Sequence, residues 1–338
     1  MKAIVLKHPG QFEAFTKAQP TAPGDEEVLL KIKNISICGT DLHAFNGKQP
    51  FFSYPRILGH EIAAEIVAIG KNVQHLKVGD SCTVEPYRNP IADQAVKKGK
   101  TNCGSKLTVL GVHEDGAMQE YITYLAANIH VTNGLPADQV SLVEPFAIGS
   151  HAVERAQLNP TDNLLVIGAG PIGLGIIAIA RLEGVKIVVL DVNQNRLDFA
   201  KQKFPEIETL KLNDTITEDL EQLLDGDLPT VVFDATGNKT SMQNAFGYVA
   251  AGGTVVFVGL FVGEVTFDDP NFHRKEITLK ASRSARAVDF KKVINLFKAN
   301  LIDTTGYITH RIKFDDLITE FEKLYLPEEN VIKAIIDF

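Results

Sequence analysis

One stretch, residues 163–191, constrains the fold more than any other part of the chain. It reads NLLVIGAGPIGLGIIAIARLEGVKIVVLD, in which an apolar run leads into the spacing Gly-x-Gly-x-x-Gly at 168–173. A helical segment and a second apolar run that ends at Asp191 come next. A lone glycine motif is weak, but this order of strand, glycines, helix, strand and acid is typical of a dinucleotide-binding βαβ unit.

Each of the three glycines has a separate role in such a unit. Gly168 allows a tight turn, Gly170 lets the backbone approach a pyrophosphate, and Gly173 lets helix and strand pack closely. The helix that begins near Pro171 and Ile172 directs free amide groups and the positive end of its dipole at the phosphates. The alternative interpretation is a glycine-rich turn without a ligand, which explains fewer of these features.

The acidic residue at the end of the second strand bears on the choice of dinucleotide. Asp191 is placed to accept hydrogen bonds from both hydroxyls of an adenosine ribose, and it would repel a 2′-phosphate. This favours NAD over NADP. Arg196 lies a few positions further on and weakens the preference, because an arginine can accommodate that phosphate.

The pattern of apolar residues changes along the chain. Its 338 residues are enough for two domains. Residues 1–147 contain short β-like runs separated by turn residues, which indicates a mainly antiparallel β domain. From about residue 148 apolar runs alternate with helical stretches, as in a doubly wound parallel sheet. The last segment, 282–338, is expected to return to the first domain, so that a cofactor domain at 148–281 is inserted into it.

Composition excludes some partners and compartments. The net charge of −8 argues against nucleic acid or an anionic membrane as a partner. The N-terminus is too polar for a signal peptide, and three cysteines do not describe a disulfide framework. A reducing cytoplasm is therefore the expected compartment.

A second cluster of residue types indicates metal chemistry. Cys38, His60, Glu61 and Glu144 supply a thiolate, an imidazole and two carboxylates, which are the ligands that zinc accepts. The spacing alone does not decide, because Cys38 could equally be a small buried apolar residue and His60 a core histidine.

Several motifs, in their order, resemble those of the zinc-dependent medium-chain alcohol dehydrogenases. They are CGTDLH at 38–43, GHE at 59–61, GVHEDGAMQEY at 111–121, EPFAIGSHA at 144–152 and GAGPIG at 168–173. The EPFA element resembles the polyol branch, and VGLF at 258–261 resembles bacterial sugar-acid dehydrogenases and the starvation-sensing dehydrogenases. The resemblance implies a Rossmann cofactor domain, a GroES-like catalytic domain, NAD and one catalytic zinc.

The resemblance also implies roles for individual residues. Cys38 and His60 would bind zinc, and the third ligand would be Glu61 or Glu144, with the other one facing a metal-bound water. Thr40 and His43 match a relay that carries the substrate proton through the nicotinamide ribose to solvent, for which His43 needs a pKa near the working pH.

Further residues would contact the substrate and the cofactor. Arg283 would face the substrate, where it could pair with a carboxylate, although a surface cation or a pyrophosphate contact is an equal alternative. The turns after two later strands would touch the cofactor through Thr236, Val258, Gly259 and Leu260, which could also be plain turn residues.

One departure from the family concerns a second, structural zinc. Its four expected ligand positions hold Pro90, Asp93, Val96 and Gly104, with Cys103 beside the last of them. One thiolate cannot close a tetrahedral site, so we expect this lobe to be metal-free and either mobile or held by packing alone, with about one zinc per chain.

The resulting hypothesis is a zinc- and NAD-dependent oxidoreductase for a secondary alcohol of a sugar acid, such as an L-galactonate-like compound, or of a polyol. The first alternative is a sorbitol- or threonine-type dehydrogenase for a neutral polyol or an amino alcohol. The second is an NAD-binding sensor without turnover. By resemblance, the chain forms a homodimer or homotetramer through the cofactor-domain sheet.

Overall fold

The structure, a computed structural model, describes residues 1–50 and 52–338. The strands are β1 (Lys2–His8), β2 (Gln11–Thr16), β3 (Glu27–Ser36), β4 (Glu61–Ile69), β5 (Ser81–Val84), β6 (Tyr87–Arg88), β7 (Thr108–Val109), β8 (Tyr121–Leu125), β9 (Ile129–Val131), β10 (Asn163–Ile167), β11 (Lys186–Asp191), β12 (Glu208–Lys211), β13 (Val231–Asp234), β14 (Thr254–Phe257), β15 (Thr278–Ala281), β16 (Ile308–Lys313) and β17 (Lys333–Asp337). The α-helices are α1 (Gly39–Phe45), α2 (Gln94–Lys97), α3 (Ala137–Ser141), α4 (Val143–Ala156), α5 (Pro171–Ala180), α6 (Gln194–Lys203), α7 (Ile216–Leu223), α8 (Lys239–Tyr248), α9 (Asp269–Arg274), α10 (Ala287–Lys298) and α11 (Leu317–Glu320).

The chain separates into two units, of which the second, Pro145–Ser284, contains a parallel sheet. Its six strands lie in the order β12-β11-β10-β13-β14-β15 and every neighbouring pair is parallel. The central strand β10 is an unbroken apolar run because both of its faces are covered, and Leu164, Leu165 and Val166 are fully buried. The predicted doubly wound sheet is confirmed.

The first unit combines Met1–Glu144 with Ala285–Phe338 around a mainly antiparallel sheet. Its strands lie in the order β16-β17-β3-β4-β5-β9, and β8 also pairs with β3. The C-terminal strand β17 joins β3 with Ile335 opposite Ser36, so the return segment completes this sheet. This arrangement confirms the predicted fold class, a Rossmann unit inserted into a mainly β domain. Among the described residues, no helix combines the length and apolar character needed to cross a bilayer.

Hydrogen bonds order the lobe in which none of the four expected zinc-ligand positions holds a cysteine. The Asp93 carboxylate caps α2 by accepting from the amides of Ala95 and Val96, each at 3.0 Å, and it also accepts from the Ser105 amide at 2.6 Å. These backbone hydrogen bonds lower the pKa of Asp93 to about 2. The expectation that this lobe is mobile or held by packing alone is therefore incomplete, since the Asp93 carboxylate connects helix α2 to Ser105 by hydrogen bonds.

We predict that Asp93→Ala loosens this lobe locally. Limited proteolysis should cut between residues 88 and 109 at least about tenfold faster than in the wild type, because three amides lose their acceptor. Asp93→Asn keeps one carbonyl oxygen as an acceptor, so its cleavage rate should lie between those of the wild type and Asp93→Ala. Because the pKa is lowered on folding, the protection is present above about pH 4 and fades as the pH falls towards 2. Equal cleavage rates at neutral pH would contradict this role.

Candidate active site

Three predicted metal ligands meet in the first unit. Cys38 precedes α1, whereas His60 and Glu61 stand at the start of β4. One ligand atom from each of the three lies within 4.8 Å of the others. The Asp41 carboxylate accepts from the amides of Cys38 at 2.9 Å and Gly59 at 3.4 Å, so a buried hydrogen-bonded clamp holds the two segments together.

The donor set and its surroundings fit a divalent cation. His60 is 5% exposed, and its Nδ1 has no hydrogen-bond partner among the described residues. A buried polar atom without a partner is costly, and a metal ion or a reoriented ring would satisfy it. Burial alone would lower the pKa of His60, but the negative groups Cys38, Asp41 and Glu144 raise it well above its usual value. The same negative field would attract Zn²⁺.

Glu61 carries an ion pair that sequence reasoning did not anticipate. The Lys333 ammonium lies 2.9 Å from its Oε1 and 2.7 Å from its Oε2, and both side chains are almost fully buried. The Ser36 hydroxyl, directly across β3 and β4, also donates to Glu61. Burial would raise the pKa of Glu61, but Lys333 outweighs it and lowers the pKa. Glu61 is therefore an ionised carboxylate.

Glu144 lies in a different environment. It is buried, and its carboxylate accepts a hydrogen bond from the Tyr87 hydroxyl. Burial, with Glu61 nearby, raises the pKa of Glu144 to about 7. The two carboxylates thus differ, because the Lys333 ammonium donates directly to Glu61, whereas Glu144 accepts from the Tyr87 hydroxyl and interacts with His60 and Lys333 only through their charge. Glu144 is not in the three-residue cluster, whose carboxylate comes from Glu61.

The predicted relay residues share one short helix. Thr40 and His43 are three positions apart on α1, a spacing that puts side chains on the same face. Partial burial and the Lys48 ammonium lower the pKa of His43, so its imidazole is neutral at pH 7. A neutral imidazole can accept a proton, as the relay requires.

In the second unit, the glycine motif has the predicted geometry. Gly168 has φ of +100°, and a Cβ added to Gly173 would lie 1.8 Å from the Gly168 carbonyl oxygen. Gly170 caps α5 and Pro171 follows it. The Asp191 carboxylate accepts from the amides of Ala169 at 2.7 Å and Asn193 at 2.8 Å, which fixes it beside the motif.

The other predicted cofactor residues lie at the same edge of the sheet, after β11, β13 and β14. The Arg196 guanidinium lies 3.7 Å from a Cβ built on Gly170. Thr236 is anchored by its hydroxyl to buried Asp234 at 2.7 Å. The later turn, with Val258, Gly259 and Leu260, packs backbone to backbone on the Thr236 turn, since a Cβ on Gly259 would lie 2.1 Å from the Gly237 nitrogen.

The predicted substrate residue Arg283 follows β15, in the second unit, and its side chain is exposed. The ligand cluster and the relay helix belong to the first unit. The role of Arg283 therefore stays a prediction.

The profile described as alcohol dehydrogenase GroES-like domain matches residues 24–134, and the zinc-binding dehydrogenase profile matches 171–299. L-galactonate-5-dehydrogenase of Escherichia coli K12 is 43% identical over 100% of this chain and 99% of its own. Sorbitol dehydrogenase of Bacillus subtilis is 29% identical over 99% and 97%. A solved structure described as the short chain alcohol dehydrogenase rspB of E. coli CFT073, complexed with NADH, superimposes with a TM-score of 0.93 at 30% identity, covering 100% and 99%.

Proposed function

Since this chain belongs to the zinc-dependent medium-chain alcohol dehydrogenases, in their polyol branch, we propose that it oxidises a secondary hydroxyl of a sugar acid with NAD as hydride acceptor. Its class of activity, an alcohol or polyol dehydrogenase, follows from the family. The observation that carries the proposal is the cluster of half-buried Cys38 with buried His60 and Glu61, near which the acidic groups Asp41 and Glu144 raise the pKa of His60. The full-length similarity to L-galactonate-5-dehydrogenase supports a sugar acid as substrate.

For the metal, we propose Cys38, His60 and Glu61 as the direct ligands of one zinc, with Glu144 facing the reacting group. Bound zinc would supply Lewis-acid polarisation of the substrate oxygen. Tyr87 holds Glu144 in place through its hydroxyl.

For the cofactor, the glycine turn at 168–173 would hold the pyrophosphate and Asp191 would accept the ribose hydroxyls. The Asp191 carboxylate is held by two amides, so the negative charge that disfavours a 2′-phosphate cannot easily turn away. NAD is therefore the proposed dinucleotide, and the relative solved with NADH supports it. Arg196 and Thr236, with the turn at 258–260, would line the rest of the cofactor site.

The proton of the substrate hydroxyl would leave by α1. The Thr40 hydroxyl would accept this proton while it releases its own, and neutral His43, one turn along the same helix, would be the base that takes up the released proton and passes it to solvent.

A substrate screen tests the proposal directly. After zinc reconstitution, hexonates, uronates, neutral polyols and amino alcohols are offered with NAD, and NADH is followed by absorbance. Sugar acids should give the highest kcat/KM. A neutral polyol as best substrate would favour the sorbitol-type alternative, which the relative from B. subtilis supports. NAD binding without NADH from any of these compounds would indicate a sensor.

Arg283 is proposed to bind the substrate carboxylate. Arg283→Ala should lower kcat/KM for sugar acids about 10- to 100-fold, because hydrogen bonds to a charged group contribute free energy in that range. The kcat/KM for neutral polyols should change less than about threefold. Arg274→Ala, an exposed arginine on α9 in the same unit, is the matched control and should leave both unchanged. Equal losses on acids and polyols would exclude this role.

The charge of Lys48 should set the acid limb of the pH profile. Burial and the Lys48 ammonium both disfavour the imidazolium form, so the His43 pKa lies below its usual 6.5 and activity should fall only below about that pH. Lys48→Gln should raise the pKa of His43 and move the acid limb to higher pH, whereas Lys48→Arg should not. Identical limbs in the wild type and Lys48→Gln would contradict the relay role of His43.

For assembly and location, we propose a homodimer or homotetramer in the cytoplasm. The edge strand β15 ends the parallel sheet, and Leu279 on it is 41% exposed, while Leu260 and Val262, in the loop after β14, are 67% and 71% exposed. An apolar edge of this kind favours pairing with a second copy. All three cysteines are free, as expected in a reducing compartment. Light scattering of the purified protein measures the mass of the assembly.

A further inference from the structure

A buried lysine lies beside the proposed metal ligands. Lys333, on β17, is 4% exposed and its ammonium donates to both oxygens of Glu61. Its remaining partner is the carbonyl of Ile37 at 3.1 Å, the residue before Cys38. All three N–H groups of the ammonium are thus used on the two segments that carry the proposed ligands.

A fixed cation is an unexpected neighbour for a divalent metal ion. Lys333 and Zn²⁺ would repel each other across a pocket of low dielectric, so the ammonium does not strengthen metal binding. Burying a lysine is also costly unless it is paired and hydrogen-bonded. Its position is therefore better explained by what the pocket needs when no metal is bound.

The group that needs a partner is Glu61. Its side chain is 1% exposed, and within the described part of the chain its other hydrogen-bond partner is the Ser36 hydroxyl. Without the ammonium, Glu61 in the metal-free pocket would keep one hydroxyl donor and the nearby His60 ring, with no cation that donates a hydrogen bond to it among the described residues. Leaving one member of a buried ion pair alone is strongly destabilising, whereas removing both members is often nearly neutral.

We propose that Lys333 is the internal counter-ion of the metal pocket, which pairs with Glu61 and keeps the pocket folded when no divalent cation is bound. The protein can then lose and regain its metal without unfolding. This inference rests on the proposed zinc site, and it makes Lys333 a positioning residue that does not touch the substrate.

Thermal unfolding of metal-free and zinc-loaded protein tests the inference. After EDTA treatment, Lys333→Met should lower the Tm by about 5 °C or more. Added zinc should raise the Tm of Lys333→Met more than that of the wild type, because the metal then becomes the main cation beside Glu61. Lys313→Met, an exposed lysine on the neighbouring strand β16, is the matched control and should change the Tm by less than about 2 °C.

The double variant Lys333→Met/Glu61→Gln separates charge from packing. With no carboxylate left unpaired, it should regain at least half of the Tm that Lys333→Met loses without metal. No recovery, or an equal loss with and without zinc, overturns the inference. If Lys333→Met does not fold, folding of the double variant supports the inference and its failure to fold refutes it. The metal-free measurements need no turnover, so their outcome is independent of whether the proposed activity is found.

Discussion

Cys38→Ala should abolish both zinc content and activity while leaving the protein folded. The substitution removes the thiolate from a three-ligand set, and a two-ligand remnant should not retain zinc through gel filtration. Loss of Lewis-acid stabilisation worth several kcal/mol corresponds to at least about a 1000-fold fall in kcat. Elemental analysis should find about one zinc per chain in the wild type and close to none in the variant.

Another cysteine provides the control for this experiment. Cys103 is exposed and lies in the lobe that Asp93 orders. Cys103→Ser should keep full zinc content and activity. A Cys38→Ala protein that kept its zinc would contradict the proposed ligand set, and a zinc count near two in the wild type would show that the 88–104 lobe binds metal after all.

Gly173→Ala should abolish dinucleotide binding through a backbone clash. The new Cβ would lie 1.8 Å from the Gly168 carbonyl oxygen, and main chain on both sides leaves no flexible side chain to move. The glycine turn must then shift by about 1 Å or more, a displacement that commonly costs about 100-fold. Fluorescence titration with NADH should show the Kd rising at least about 100-fold, with the zinc content unchanged.

The same helix provides the control. A Cβ on Gly175, two residues further along α5, would have its nearest contact at 3.5 Å, an ordinary van der Waals distance. Alanine is favoured over glycine inside a helix by about 1 kcal/mol, so Gly175→Ala should be neutral or stabilising and bind NADH normally. Equal effects of the two substitutions would mean that helix composition, and not the clash, determines binding.

Much of the parallel sheet could be predicted from its central strands. β10, β11, β13 and β14 are apolar runs because helices or loops cover both of their faces. The edge strands β12 and β15, with sequences ETLK and TLKA, were not predicted, because their side chains are largely half-buried or exposed and the apolar signal is absent. The short helix α1 was missed as well, although it carries two predicted relay residues.

Only those residues of the candidate site that belong to short sequence motifs could be predicted. Cys38, His60 and Glu61 could be found from their motifs, and the structure brings their ligand atoms together. Tyr87 is 57 positions from Glu144, and no sequence signal marks it as a partner. In the sequence, Lys333 is an ordinary lysine beside an apolar run, and nothing marks it as a partner of Glu61.

The amino-acid sequence by itself determined the order of strands and helices in the dinucleotide unit and the set of residues able to bind a metal, because apolar periodicity and ligand chemistry are properties of neighbouring residues. Only the tertiary structure decided the charge state of that set. It pairs β17 with β3 and so brings Lys333 to Glu61 across 272 positions, while Glu144 accepts its hydrogen bond from the Tyr87 hydroxyl. Electrostatic energy depends on distance and burial in space, and neither can be read from position along a chain.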